Sequence, residues 1–130
     1  MRTVYVDTSA LGRILLGEPD APLILGALDR FDSYVASRLM ALELRRLALR
    51  HDQRDPAELL LDGASLVPIT EAVLAVADAV GPASVAALDA IHLATALELA
   101  GAGVIDAMMT YDARLAEAAR QHGITVIAPS

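Results

Sequence analysis

Thr3-Val4-Tyr5-Val6-Asp7-Thr8-Ser9-Ala10-Leu11 is the stretch on which the fold turns. Its first four residues alternate β-branched and aromatic side chains, which suits a strand. Helix-forming residues follow from Ser9, and an acid stands at the junction. Asp is favoured where a strand gives way to a helix, because its carboxylate can cap the first turn. Ser9 offers a hydroxyl that could serve as that cap equally well, which leaves Asp7 available for chemistry.

Working outward from this unit, strand and helix patterns alternate to the end of the chain. Helices are expected over Ser9–Leu16 and Pro22–Leu28, separated by Gly17-Glu18-Pro19-Asp20, which has turn chemistry. A strand over Ser33–Ala36 precedes helices over Arg38–His51 and Pro56–Asp62, the second ended by Gly63. Leu66–Ile69 reads as a strand, and Pro68 assigns it to a sheet edge. Helices over Glu71–Val80 and Val85–Leu99, a strand over Ile105–Thr110, a helix over Ala113–Gln121 and a strand over Thr125–Ile127 complete the series. The economical architecture is α/β: a central parallel sheet flanked by helices on both faces, forming a single domain over residues 1–130. Sheets of this kind place ligands beyond the carboxyl ends of their strands.

Composition excludes several kinds of chemistry. The chain has no Cys, so a disulfide framework, a thiolate zinc site and a thiol nucleophile are absent. Lys is also absent, and all ten cationic side chains are Arg. That removes phosphate-binding loops that rely on Lys, and Schiff-base enzymes. Only Tyr5, Phe31, Tyr34 and Tyr111 are aromatic, so the interior is built from Ala, Leu and Val. No signal peptide is recognisable. The most apolar stretch, Ala72–Leu88, contains Asp78 and Gly81-Pro82 and falls short of the ~20 apolar residues of a membrane span. A cytoplasmic protein without membrane contact is expected. The net charge of −7 opposes nucleic-acid binding through a general basic surface. It remains compatible with acids gathered around cations, which reverse the local field.

Four of the seventeen acids occupy unusual places. Asp7 and Asp112 each follow a strand, so two central parallel strands would deliver both to one rim. Glu43 has Leu39, Met40 and Leu47 at helical spacing, and Asp89 has Val85, Ala86 and Leu93. Unpaired carboxylates in such surroundings cost several kcal/mol or take up a proton. Pairing with arginine is one resolution, and Arg46 lies one turn beyond Glu43. Convergence on a hard cation is the other: a site made only of oxygen ligands selects Mg²⁺ or Mn²⁺ over zinc.

These residues carry a family resemblance. Val6-Asp7-Thr8-Ser9-Ala10-Leu11 resembles the opening motif of PIN domains, and the helical Glu43 follows 36 residues after Asp7, as in that family. Leu88-Asp89-Ala90-Ile91-His92-Leu93-Ala94-Thr95-Ala96 is similar to its third motif, and Met109-Thr110-Tyr111-Asp112-Ala113-Arg114-Leu115 to its fourth. The match spans the chain, whose length is that of VapC-type toxins of bacterial toxin–antitoxin pairs. The resemblance implies a metal-dependent endoribonuclease with Asp7, Glu43, Asp89 and Asp112 as its metal-binding and catalytic carboxylates. It also implies Mg²⁺ or Mn²⁺ as cofactor, an RNA substrate, a homodimer and inhibition by a cognate antitoxin.

Around this core the expected assignments are less specific. Thr8, Ser9 and Thr110 border the site, where their hydroxyls can orient a carboxylate or touch phosphate. Arg13, Arg46 and Arg114 lead away from the rim and are candidates for RNA contacts. His92, one turn after Asp89, reads as a satisfied core histidine within reach of that acid, and Asp78 as a solvated helix residue. With few aromatics to stack bases, recognition through RNA shape and backbone is favoured. Two other readings compete. One is a catalytically silent PIN fold serving as a binding module. The other is a Mg²⁺-dependent phospho-acceptor domain, against which the missing Lys argues.

Overall fold

The computed structural model describes residues 2–130; Met1, part of the expected domain, lies outside them. The sequence elements are β1 (Thr3–Val6), α1 (Thr8–Leu15), α2 (Ala21–Leu28), β2 (Ser33–Ser37), α3 (Arg38–His51), α4 (Arg54–Asp62), β3 (Ala64–Val67), α5 (Glu71–Ala77), α6 (Ala87–Gly101), β4 (Ala107–Met109), α7 (Ala113–Gln121) and β5 (Val126–Ile127). The strands form one sheet in the order β3-β2-β1-β4-β5, and every pairing is parallel.

β1 is the central strand, and all four of its residues are buried. Its period-two alternation feeds two separate cores. Val4 and Val6 pack with Leu11, Ile24, Met40 and Leu44, under α1 to α4. Tyr5 points to the other face and packs with Leu93, Met108, Leu115 and Ala118, under α6 and α7. Helices therefore cover both faces, which is why β1 reads as an uninterrupted apolar run.

Local chemistry sets the ends of the elements, and most differ from the sequence expectation by one to three residues. The first helix starts at Thr8 with Asp7 as its cap: the Asp7 carboxylate accepts from the Ala10 N–H at 3.3 Å. Ser9, expected to compete for that cap, instead lies within the first turn and donates to Asp7. β3 ends at Val67, two residues before the expected limit, because Pro68 has no N–H to continue the ladder. It is an edge strand, as Pro68 indicated. α6 begins at Ala87, so Val85 and Ala86 precede the helix, and Asp89 stands in its first turn rather than on a long apolar stripe. Asp78 caps the C-terminal end of α5 and is exposed.

One glycine is required by close approach. Gly63 joins α4 to β3 beneath Tyr34, whose hydroxyl donates to the Leu60 carbonyl at 2.6 Å. A Cβ at position 63 would lie 2.9 Å from Tyr34 Cζ and overlap the phenol. No helix is long and apolar enough to cross a membrane among the described residues.

Candidate active site

The sheet order reverses at β1: the chain moves from β1 to β2 and β3 on one side, then returns to β4 on the other. The crevice at such a switch point, at the carboxyl ends of the strands, is where parallel sheets bind ligands. Val6 is in register with Met109, so Asp7 and Thr110 leave adjacent strands together.

Asp7 is 4% exposed and its carboxylate is held on both oxygens. Oδ1 accepts from the Ser9 hydroxyl at 2.6 Å and Oδ2 from the Thr110 hydroxyl at 2.8 Å. Burial pushes its carboxyl above the ordinary Asp range, against the hydrogen bonds, which pull it down. Ser9 also accepts the Tyr111 N–H at 2.8 Å and thereby ties α1 to the segment after β4. Thr110 accepts the Asp112 N–H at 3.1 Å. Asp112 caps α7, its Oδ1 accepting from the Leu115 N–H at 2.9 Å. Helix cap and rim acid are thus the same residue at both positions 7 and 112.

Glu43 reaches the rim from the second turn of α3, with its side chain 27% exposed. Oε1 receives the Thr8 hydroxyl and His92 Nε2, each at 2.7 Å. Burial alone would raise its carboxyl, but these two bonds prevail and hold it below the ordinary Glu range. Asp89 accepts no protein hydrogen bond among those of the described residues and is half-buried. Its carboxyl is raised first by burial, then by the charges of Asp112, Asp7 and Glu43. Asp89 thus lies within reach of the charges of the other three expected carboxylates. The N-terminal ends of α1, α6 and α7 meet there too, and their partial positive charge favours anions.

Among the described residues no arginine pairs with any of these four acids. The arginine–carboxylate ion pairs among the described residues are Arg13 with Asp20 and Arg45 with Glu58. Arg46 forms no pair with Glu43. The donors fit a hard divalent cation in kind and in unbalanced charge. They do not form a closed cage, since no three described acids or histidines are already gathered as a ligand set.

The remaining expected residues divide. Thr8, Ser9 and Thr110 each hold a rim carboxylate. Arg13 is engaged: its Nε bridges both Asp20 oxygens at 3.0 and 2.9 Å, and its guanidinium lies 5.1 Å from the centre of the Tyr111 ring. Arg46 is exposed and unpaired, in a shallow hollow shared with Leu39, Leu42, Glu43, Arg50 and Leu88. Arg114 is exposed at the second position of α7. Sequence reasoning gave no role to Arg50, whose spacing of four from Arg46 is the available signal. His92 is the satisfied core histidine expected, but its imidazole bonds Glu43 and Tyr5 rather than Asp89.

The family model for the PIN domain matches residues 4–121. The chain belongs to the PIN-domain family. This PIN domain is 35% identical to ribonuclease VapC47 of Mycobacterium tuberculosis, over 97% of the chain and 96% of the relative. It is 34% identical over the full length of both to ribonuclease VapC46 of the same organism. Among solved structures, a toxin–antitoxin complex from Klebsiella pneumoniae superposes with a TM-score of 0.73 at 20% identity, covering 98% of each chain. The M. tuberculosis toxin VapC20, described as cleaving the sarcin–ricin loop, superposes equally well at 14% identity, over 97% of this chain and 99% of that one. At these identities the two structures establish the α/β fold.

Proposed function

We propose that residues 1–130 act as one PIN domain, an RNA-cleaving toxin that uses Mg²⁺ or Mn²⁺ held by Asp7, Glu43, Asp89 and Asp112. The observation that carries this reading is that Asp7 and Thr110 leave adjacent strands at the switch-point rim, where the charges of Asp7, Glu43 and Asp112 act on Asp89 and, among the described residues, no arginine pairs with any of the four. The named ribonuclease relatives, aligned over nearly the whole chain, support RNA as the substrate.

A bound divalent ion supplies acidification of water and neutralisation of charge at the scissile phosphate. The chain itself sets the geometry. Ser9 and Thr110 fix the Asp7 carboxylate, Thr8 and His92 fix that of Glu43, and the α7 N-terminus fixes one oxygen of Asp112. Asp89, without a protein donor, is free to turn toward a cation. Attack by water leaves the ribose 2′-hydroxyl uninvolved, and the family resemblance implies 5′-phosphate and 3′-hydroxyl ends. Cellular RNA incubated with Mn²⁺, with Mg²⁺ and with EDTA tests this by mapping the new ends. Cleavage that persists in EDTA refutes the metal reading. Tight Mn²⁺ binding without cleavage of any RNA would favour the silent binding module. Because Asp7 and Asp89 hold protons more firmly than ordinary acids, Mn²⁺ affinity should fall with acidification at a pH above the usual carboxylate range. Titration calorimetry between pH 5 and pH 8 measures this.

Phosphate contacts are assigned to Arg46 and Arg50, beside Glu43, in preference to the Asp20-bound Arg13; Arg114 remains a lesser candidate. Replacing Arg46 and Arg50 together by Ala should weaken RNA binding about tenfold at moderate salt and flatten the salt dependence by roughly one to two units of slope. An unchanged slope in filter-binding assays would exclude both from the RNA path. A cognate antitoxin and a homodimer in the cytoplasm complete the proposal. The toxin–antitoxin complex among the structural neighbours supports the first. Apolar surface at Leu23, Leu25 and Leu59, left exposed on α2 and α4, is available for such partners.

A further inference from the structure

We propose that His92 is a positioning residue, locked in one tautomer by Tyr5, which holds one Glu43 oxygen in place and leaves the other for the cation. The inference rests on the metal-dependent reading above.

The hydrogen bonds form a directed chain. Tyr5 is 0% exposed, and its oxygen accepts the Ser37 N–H at 3.3 Å. The phenolic proton must then find an acceptor, and His92 Nδ1 lies 2.8 Å away. With Nδ1 accepting, the ring proton resides on Nε2. Nε2 lies 2.7 Å from Glu43 Oε1, and a carboxylate can only accept, so His92 donates. Thr8 donates to the same oxygen at 2.7 Å. Oε1 is therefore claimed twice, while Oε2 accepts no protein hydrogen bond among those of the described residues. His92 is itself 2% exposed and has its ring edge-on to Tyr5. This buried relay joins the β2–α3 junction, β1, α6 and α3, and it ends on an expected metal ligand.

A histidine that merely filled space would need no particular donor atom. An outer-shell donor would matter to ion binding, and loss of such partners typically weakens metal affinity about 10–100-fold. Gln at position 92 places an amide nitrogen as many bonds from the backbone as His Nε2 and can donate to Glu43; Leu cannot.

The test is direct Mn²⁺ binding by calorimetry to wild type, His92→Leu and His92→Gln, with metal-free melting temperatures to verify folding. The expected result is about 10–100-fold weaker binding for His92→Leu, with most of the affinity recovered in His92→Gln. Equal binding by wild type and His92→Leu overturns the proposal, as does equal weakening in both variants, which would mean packing alone. Wild type that binds no Mn²⁺ defeats the metal reading itself, a separate outcome visible before any variant is compared. Long-range ¹H–¹⁵N spectra of the metal-free wild type provide a measurement independent of variant folding. A proton on Nε2 with Nδ1 bare supports the relay, and the reverse tautomer overturns it.

Discussion

Replacing Asp7 by Asn is expected to lower RNA cleavage by about 10³-fold while raising the melting temperature of the metal-free chain at neutral pH. The loss follows from removing a charged oxygen donor at the centre of the rim; Asp89→Asn should likewise abolish cleavage with the fold intact. The gain in stability follows from where Asp7 sits. Burial raises its carboxyl above the ordinary range, so the ionised form is disfavoured in the folded chain relative to the unfolded one. Its contribution to metal-free stability is then most favourable below the unfolded pKa and declines as pH rises through the folded value. An amide of the same shape can still accept from Ser9 and Ala10, and the Thr110 hydroxyl can rotate to accept from it. Melting curves in EDTA should show the variant above wild type at pH 7 and the two converging in acid. A variant that melts lower at pH 7 would show that the hydrogen bonds to the anion outweigh its burial. The rim would then need no cation to tolerate Asp7.

The second large effect concerns the scaffold. Leu93→Ala should cost about 2–5 kcal/mol in urea unfolding, whereas Leu88→Ala should stay within about 0.5 kcal/mol. Both leucines lie on α6 and flank Asp89 in sequence. Leu93 is 0% exposed and packs on Tyr5, Val35 and Met108; Leu88 is 52% exposed. Deleting the Leu93 side chain leaves a cavity beneath the helix that carries both Asp89 and His92. The same variant should therefore bind Mn²⁺ less tightly even under conditions where it remains folded. A loss below 1 kcal/mol, measured in EDTA so that metal binding does not contribute, would mean that α6 is seated on the sheet by other contacts.

Much of this was open to reading in the chain itself. The alternating Thr3–Val6 run, the acid that ends it and the helical spacing that follows specify a strand–helix unit. Its repetition specifies a parallel sheet, because only crossover helices can return the chain in the same direction. Local chemistry also singled out Asp7 and Asp112 at strand ends and Glu43 at helical spacing from leucines, whereas the apolar stripe expected around Asp89 is absent because α6 begins only at Ala87. What local patterning could not supply was partnership. Glu43 bonds His92 across 49 positions, Asp7 bonds Thr110 across 103, and Tyr5 bonds His92 across 87. Those contacts exist only because β1 lies between β2 and β4. Likewise, Arg13 is bound to Asp20 and Arg46 left unpaired by the way the helices pack, and no periodicity distinguishes the two arginines. Sequence therefore determined the kinds of residue and the elements that bear them, through interactions within a few residues. Tertiary structure decided which of those residues face one another, because sheet order is set by burial over the whole chain.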